Sequence, residues 1–245
     1  MNHLNNQSVI DSLAETLDDT YLDIDFCYTI KLVSKNLSLL ASRLREKIKI
    51  YDFSGGLNRI QDLSIIVNNY PNITELDISA NQILKNHIDI VIYEIQKLID
   101  LRSLNVELNY LSDSAVSEII TLKSLRELYI GLNDFGYDGV KCICTLSNLD
   151  ILDLRYNTID NNSIRELTKL KKLSSLCLRG CHLSFIDVQG LSNMKNLKIL
   201  DLSYNEIDEE SAEEISKMQS LTEIDISSCS ISNISAQVIS FMTKV

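Results

Sequence analysis

The 245-residue sequence contains one proline, seven glycines and no tryptophan. Because proline and glycine mark loops and linkers, their scarcity leaves little room for interdomain linkers or disordered tails. Apolar residues make up 45% of the chain, yet none of its apolar runs reaches the roughly 18 residues of a membrane helix. The N-terminus does not pair a basic start with an apolar run. We therefore expect neither a membrane span nor a Sec-type signal.

Histidine is also scarce, with three residues in the whole chain. His3, His87 and His182 are far apart in sequence and do not have the spacing of metal ligands. The sequence also lacks a glycine-rich phosphate-binding loop. We therefore expect no metal, no cofactor and no small-molecule substrate.

What the sequence does contain is a repeat, spelled L-x-x-L-x-L-x-x-N-x-L. The unit Leu149-Leu152-Leu154-Asn157-Ile159 shows the pattern clearly. Ile48-Tyr51-Phe53-Gly56 is interpreted as a worn first copy, which gives about eight units. Self-similarity at such a period is the signature of a solenoid. The clear units begin at Ile73, Leu101, Leu125, Leu149, Leu173, Leu197 and Leu221.

Each position of the unit has a physical role. Apolar residues at positions four and six point to one face of a short strand, and burying each contributes roughly 1.5–3 kcal/mol. The polar residue at position nine leaves the strand in a turn, where a side-chain amide can satisfy backbone groups. Cys181 and Cys229 fill this position as small buried donors. The asparagines of this column are Asn81, Asn109, Asn133, Asn157 and Asn205.

The second half of each unit predicts a helix. Ala212, Ile215 and Met218 have helical spacing behind the acidic turn Asp208-Glu209-Glu210, which suits a helix N-terminus. Gly190 weakens the corresponding helix of another unit. The predicted fold is an α/β solenoid, a horseshoe with a concave parallel β-sheet and convex helices.

The predicted domains are an N-terminal helical and strand cap over residues 1–47 and a repeat domain over residues 48–245. An uncapped solenoid exposes the edge of its sheet, which favours a cap at this end. Alternatively, the N-terminal segment docks a second protein, and the chain is a substrate-recruiting adaptor. The last helix, with Ala236, Ile239 and Met242, either caps the other end or contacts another chain.

Positions three, five, seven, eight and ten of each unit are expected to line the concave side, and we call this surface the open face. Its two arginines, Arg155 and Arg179, are outnumbered by acids, which gives a charge of −9 against −11 for the whole chain. Such a face repels phosphates and attracts basic protein surfaces. For Asp77, Asp201 and Asp225, each followed two residues later by serine, a structural origin is the alternative. The predicted open-face acids are Asp52, Glu75, Asp77, Glu107, Glu127, Asp134, Asp153, Asp201, Glu206, Glu223 and Asp225.

The middle units depart most from the generic spelling. Exposed tyrosine, arginine and leucine in an acidic concavity predict a docking patch for another protein with a basic surface, because tyrosine and arginine dominate binding hot spots. Ordinary variation of a surface is the alternative. The predicted partner-binding residues are Glu107, Leu108, Tyr110, Tyr129, Leu132, Asp134, Asp153, Arg155, Tyr156, Arg179, His182 and Tyr204.

A catalytic site is conceivable at Cys177, which is flanked in its column by Asp153 and Asp201 and followed by His182. Neighbouring carboxylates raise a thiol pKa, however, and the sequence places no oxyanion-binding turn there. We therefore expect no catalytic residues. The cysteine positions also argue against disulfides and favour a reducing, cytoplasmic compartment.

By these residues the chain resembles the leucine-rich repeat superfamily over about residues 48–245. Helical convex segments and Asn or Cys at position nine are most similar to the ribonuclease-inhibitor-like or cysteine-containing class. The resemblance implies a non-enzymatic module that grips one partner protein with its concave face, as an inhibitor, regulator or scaffold.

The composition, rich in Ile, Asn and Ser, also resembles effector proteins of intracellular bacteria such as Legionella. An acidic cluster on one helix is similar to the C-terminal patches of type IV secretion substrates, although a solvated helix face explains it equally well. Such an effector would act in the host cell without a Sec signal, on a host protein or on another effector. The cluster comprises Glu206, Glu209, Glu210, Glu213 and Glu214.

Overall fold

The computed structural model describes residues 47–49, 63–64, 67–68, 71–80 and 84–229. In these residues short strands alternate with helices along the chain. The strands are β1 (Lys47–Lys49), β2 (Glu75–Asp77), β3 (Ser103–Asn105), β4 (Glu127–Tyr129), β5 (Ile151–Asp153), β6 (Ser175–Cys177), β7 (Ile199–Asp201) and β8 (Glu223–Asp225). The helices are α1 (Leu84–Ile95), α2 (Asp113–Ile119), α3 (Tyr137–Ile143), α4 (Asn161–Leu167), α5 (Phe185–Leu191) and α6 (Glu209–Ser216).

The strands form one parallel sheet in chain order, from β1 to β8. Each strand from β2 to β8 holds positions three to five of its unit, and position four aligns from strand to strand, as in the pairing of Leu128 with Leu152. Neighbouring helices pack side by side from α1 to α6. The predicted α/β solenoid, with a parallel sheet alternating with helices, is confirmed.

The core lies between the sheet and the helices. In the unit that begins at Leu149, Leu152 and Leu154 from the strand side meet Ile164 and Leu167 from α4, and all four are fully buried. Leu170, the third apolar residue of the predicted helical series, is buried beyond the end of α4. It packs in the turn that returns the chain to the next strand, so the helices are shorter than the apolar spacing suggests.

The position-nine side chains form the predicted ladder of buried hydrogen bonds. Asn157 donates through Nδ2 to the carbonyl oxygens of Ile130 and Leu154, both at 3.0 Å. Its Oδ1 accepts from the backbone N–H of Asn133 at 3.1 Å. Cys181 fills the same position as a donor to the Leu154 carbonyl at 3.3 Å. Each unit is thereby joined to its neighbour through groups that water does not reach.

Acidic side chains cap the starts of two helices. The Asp160 carboxylate accepts from the Ser163 N–H at 2.7 Å, and the Asp208 carboxylate accepts from the Ser211 N–H at 2.8 Å. These donors are among the N–H groups that a helix start leaves unpaired. Donation from Ser163 and Ser211 holds the pKa of each aspartate below its usual value.

The predicted register of the first unit is wrong. β1 pairs Ile48 with Leu76, so Ile48 occupies position four and not position one. The interval from Ile48 to Leu76 then equals that from Leu76 to Leu104. Position five is Lys49, opposite Asp77, and not Asp52. The prediction failed because the first unit lacks the position-nine asparagine, which identifies the register in other units.

Some predictions lie outside the described residues. They include residues 1–46 of the N-terminal cap predicted over residues 1–47, the position-nine residue Asn81, the acid Asp52 and the last helix with Ala236, Ile239 and Met242. The division into a cap and a repeat domain therefore stays a prediction. Of the described residues, no helix is long and apolar enough to cross a membrane.

Candidate partner-binding face

The open face consists of side chains on the side of the sheet opposite the helices. Successive strands place equivalent positions next to each other, so that Tyr129 on β4 lies beside Asp153 on β5 and Asp153 beside Cys177 on β6. The predicted columns are therefore present. Neighbouring residues within a column are spaced at roughly 4.8 Å, the distance between strands.

The position-five acids have a structural role. Oδ1 of Asp77 accepts from the Ser79 N–H at 2.9 Å, and Asp201 accepts from Ser203 in the same way at 2.9 Å. Asp225 repeats the contact with Ser227 at 2.8 Å. Each carboxylate closes a local turn that would otherwise leave a backbone donor unsatisfied. These hydrogen bonds support the structural alternative for the Asp-x-Ser spelling.

Asp153 is buried, at 4% exposure, although the sequence predicted an open position. Its Oδ1 accepts from the Arg155 N–H at 2.9 Å, and its Oδ2 accepts from both Nε and Nη2 of the Arg155 guanidinium. This fork satisfies the carboxylate within the chain. The Ser203 side chain, also expected on the open face, is fully buried.

Arg155 is held in place by acids and by a glycine. Its Nε lies 3.9 Å from Oε1 of Glu107, and the Asp153 carboxylate raises the pKa of the guanidinium. A Cβ atom at Gly131 would lie 2.4 Å from Cγ of Arg155. Gly131 is therefore required for the arginine side chain to cross the neighbouring unit.

Tyr156, Arg179 and Tyr204 form a compact group that we call the tyrosine–arginine cluster. Nε of Arg179 donates to the Tyr156 hydroxyl at 3.1 Å, and Nη1 donates to Oγ of Ser203 at 3.3 Å. The guanidinium carbon lies 4.2 Å from the centroid of the Tyr204 ring, within the range of a cation–π interaction. The three side chains support one another on the surface.

The residue at position eight has a left-handed backbone in every described unit from β2 to β8, with φ between +53° and +61°. Glycine adopts this conformation readily, and asparagine tolerates it. Here the column holds bulky side chains that are 38–50% exposed. Such residues are rare at positive φ because Cβ crowds the backbone. The bulky members are Leu108, Leu132, Tyr156 and Tyr204.

Sequence reasoning did not identify this strained column, although one signal was present. Gly180 occupies position eight in its unit with φ of +61°. A glycine in a column of otherwise varied residues indicates a slot that requires positive φ. Sequence reasoning also missed Gly131, which admits the side chain of Arg155.

A shallow depression of about 190 Å³ lies on the open face between β2 and β4. Tyr129 lines this depression, and its hydroxyl donates a hydrogen bond to Oε2 of Glu127 at 3.3 Å. Burial, together with the nearby carboxylates of Glu127, Asp153 and Glu75, raises the pKa of Tyr129 to about 12. The Tyr129 hydroxyl therefore remains a hydrogen-bond donor even above about pH 10, where an ordinary tyrosine loses its proton.

Cys177 has the neighbours that the sequence predicted, since β6 pairs with both β5 and β7. Its Sγ donates to Oδ2 of Asp201 at 3.4 Å. Burial and then the charge of Asp153 raise the pKa of the thiol well above its usual value. A thiol that stays protonated is a poor nucleophile. Across the described residues, no group of three or more His, Cys, Asp or Glu side chains could hold a metal ion.

The predicted partner-binding residues have different degrees of burial. Asp153 is buried, and Glu107, Tyr129, Arg155 and Arg179 are half-buried. Their contribution to binding stays a prediction. The exposed members are Leu108, Tyr110, Leu132, Asp134, Tyr156, His182 and Tyr204.

Comparisons with known proteins bear on the family. Residues 121–144 and 171–231 match two family models, both described as leucine-rich repeat. No curated protein matches the chain.

Three solved structures are among those that are similar to this chain. Internalin C2 of Listeria monocytogenes is 20% identical, with a TM-score of 0.48 over 70% of this chain and 76% of its own. A leucine-rich repeat protein of Leptospira interrogans is 26% identical, with a TM-score of 0.46 over 71% of this chain and 42% of its own. A plant peptide hormone receptor in complex with RGF2 is 23% identical, with a TM-score of 0.43 over 66% of this chain and 29% of its own. With the repeat register, the asparagine ladder and the two family models in agreement, this chain contains leucine-rich repeats.

Proposed function

We propose that this protein is a non-enzymatic module that binds one partner protein through the open face and acts as an inhibitor, regulator or scaffold. Leucine-rich repeats commonly serve as protein-binding modules, because the stacked units present an extended concave surface. Exposed tyrosine and leucine side chains on the open face support this role.

The strained position-eight column carries the proposal. Leu132 and Tyr204 are 38% and 50% exposed, and both have a left-handed backbone that glycine or asparagine would adopt more favourably. Folding alone does not favour a bulky residue at such a position. Large side chains retained at an expense in stability are typical of binding surfaces.

Charge indicates the kind of partner. Position three carries Glu75, Glu127 and Glu223, in addition to the aspartates at position five. A partner with a basic surface patch fits this face, and the rate of association should fall as salt rises. Phosphate backbones of nucleic acids are unfavourable ligands for the same reason.

Site-specific photocrosslinking tests the proposal. A photoreactive phenylalanine analogue replaces Leu132 on the open face or, as a matched control, Ile186, which is 57% exposed on helix α5. We expect a discrete crosslinked protein from position 132 and none from position 186. The same product from position 186 alone would contradict the proposal.

The alternative adaptor function depends on residues 1–47, of which residues 1–46 lie outside the described residues, and it stays a prediction. Location in a cytoplasmic, reducing compartment and origin as a bacterial effector also stay predictions from the sequence.

A further inference from the structure

The two arginines of the open face have different electrostatic environments. Arg155 is paired with Asp153 and lies near Glu107. Arg179 contacts the hydroxyl groups of Tyr156 and Ser203, which are neutral. Over residues 84–229, no carboxylate oxygen lies within 4.0 Å of its guanidinium nitrogens. Within this range, Arg179 therefore carries a positive charge that no ion pair neutralises.

The guanidinium of Arg179 also retains donors. It carries five N–H groups, of which one on Nε and one on Nη1 are used within the described part of the chain. The remaining groups lie on Nη1 and Nη2, the end of the guanidinium that binds a carboxylate through two parallel hydrogen bonds. The arginine can accept an anion without losing a contact.

The guanidinium is held in place before any ligand arrives. The Tyr204 ring supports it from one side, and the Tyr156 hydroxyl fixes Nε. Tyr156 lies over Gly180, where a Cβ atom would come within 2.4 Å of its ring. Ordering a flexible arginine normally reduces affinity, and a side chain that is already ordered avoids that loss.

We propose that Arg179, between Tyr156 and Tyr204, binds the side-chain carboxylate of one glutamate or aspartate on the partner protein. This inference rests on the proposed function and adds a chemical requirement to it. The partner then presents an acidic residue at the tyrosine–arginine cluster and basic residues around it.

The surroundings of the cluster favour this ligand over other anions. Asp201 and Asp225 are near enough to interact electrostatically with Arg179. The second negative charge of a phosphate therefore meets repulsion from two carboxylates against attraction to one guanidinium, which favours a singly charged carboxylate. The exposed apolar surface extends beyond the cluster: Leu132 precedes Tyr156 by one unit in the position-eight column, and Ile199 is on β7 in the unit that holds Tyr204. A partner surface that extends over these residues carries a side-chain carboxylate more readily than a chain end.

A peptide selection tests the inference with the full-length protein. Random 16-residue peptides, displayed so that neither end is free, are selected on wild type and counter-selected on Tyr156→Ala/Tyr204→Ala. We expect the enriched peptides to share one Glu or Asp at a fixed place among basic residues. Fluorescence anisotropy then measures dissociation constants for the best peptide and for its Glu→Gln and phosphoserine forms.

We expect Arg179→Met to weaken the parent peptide about tenfold or more, and Arg179→Lys to have an intermediate effect, because lysine lacks the planar fork. The Arg179→Met protein should bind the Glu→Gln peptide as well as it binds the parent peptide. Wild type should bind the phosphoserine peptide more weakly than the parent peptide. Unchanged melting temperatures serve as the control for folding.

The two proposals fail in different ways. Peptides that need Tyr156 and Tyr204, but bind wild type and Arg179→Met equally well, contradict the carboxylate site and leave the proposed function standing. Tighter binding of the phosphoserine peptide overturns the choice of a carboxylate. A selection that returns no peptide dependent on the open face contradicts both.

Discussion

The ring of Tyr156 lies directly over Gly180, and a Cβ atom built at position 180 would come within 2.4 Å of Cε1 of the tyrosine. Gly180 also has φ of +61°, a conformation that L-residues with a Cβ adopt at a loss of stability. Gly180 therefore has two roles: it adopts the left-handed backbone of the turn after β6, and it leaves space for the Tyr156 ring on the open face.

Gly180→Ala should lower the free energy of unfolding by roughly 2–4 kcal/mol, through the left-handed backbone and the contact with Tyr156. Urea denaturation measures this change. In a Tyr156→Ala background the contact is absent, and the loss caused by Gly180→Ala should shrink to the backbone contribution of roughly 1–2 kcal/mol. An equal loss in both backgrounds would show that the ring does not pack over the glycine.

Leu132→Asn should maintain the free energy of unfolding or raise it by up to about 1 kcal/mol, because asparagine tolerates the left-handed backbone that Leu132 adopts with φ of +53°. Leu132→Ala removes the same side chain and keeps the strain. Thermal unfolding of the two variants compares them directly. An alanine variant as stable as the asparagine variant would contradict the assignment of strain at position eight.

Asn157→Ala should lower the free energy of unfolding by about 3 kcal/mol, because buried backbone groups lose their partners. The lost hydrogen bonds are those to Ile130, Leu154 and Asn133. Asn162, which is exposed in α4, provides the control, and Asn162→Ala should have little effect. A small change at Asn157 would contradict the structural role of the asparagine ladder.

Stability should depend on pH through Asp160, whose pKa is lowered by hydrogen bonds from Ser163. Its contribution is present above the unfolded pKa of about 3.9 and is lost as pH falls through the lower folded pKa. Asp160→Asn maintains an acceptor at the cap and removes this titration. Its unfolding free energy should fall less steeply than that of wild type below about pH 4.

Urea denaturation between pH 6 and pH 2.5 measures this difference, with exposed Asp100→Asn, in the turn before β3, as the control. Parallel pH profiles for wild type and Asp160→Asn would show that the cap does not respond to protonation.

Periodicity alone predicted most of the fold. The apolar positions four and six, such as Leu128 and Ile130, are fully buried as expected, because burial at a fixed spacing is a property of the pattern itself. Asn157 and Cys181 also make their predicted hydrogen bonds. The register failed at Ile48, where alternating apolar residues fit two alignments and no asparagine distinguishes them.

The candidate site was less accessible to sequence reasoning. The spacing placed Tyr156 and Arg179 in adjacent units, but their hydrogen bond depends on side-chain rotamers that a pattern does not encode. The sequence pattern also did not predict the burial of Asp153. That burial depends on hydrogen bonds from the Arg155 backbone and side chain, which form only in the folded structure.

The central claim is that the open face binds the partner. The most direct test measures the affinity of two double variants for the partner protein identified by photocrosslinking. Tyr156→Ala/Tyr204→Ala alters the open face, and Tyr93→Ala/Ile186→Ala removes side chains that are 64% and 57% exposed on helices α1 and α5. With melting temperatures matched to wild type, isothermal calorimetry should show at least about a 30-fold loss of affinity, roughly 2 kcal/mol, for the open-face variant alone. Full affinity in the open-face variant, with a loss in the helix-face variant, would contradict the account.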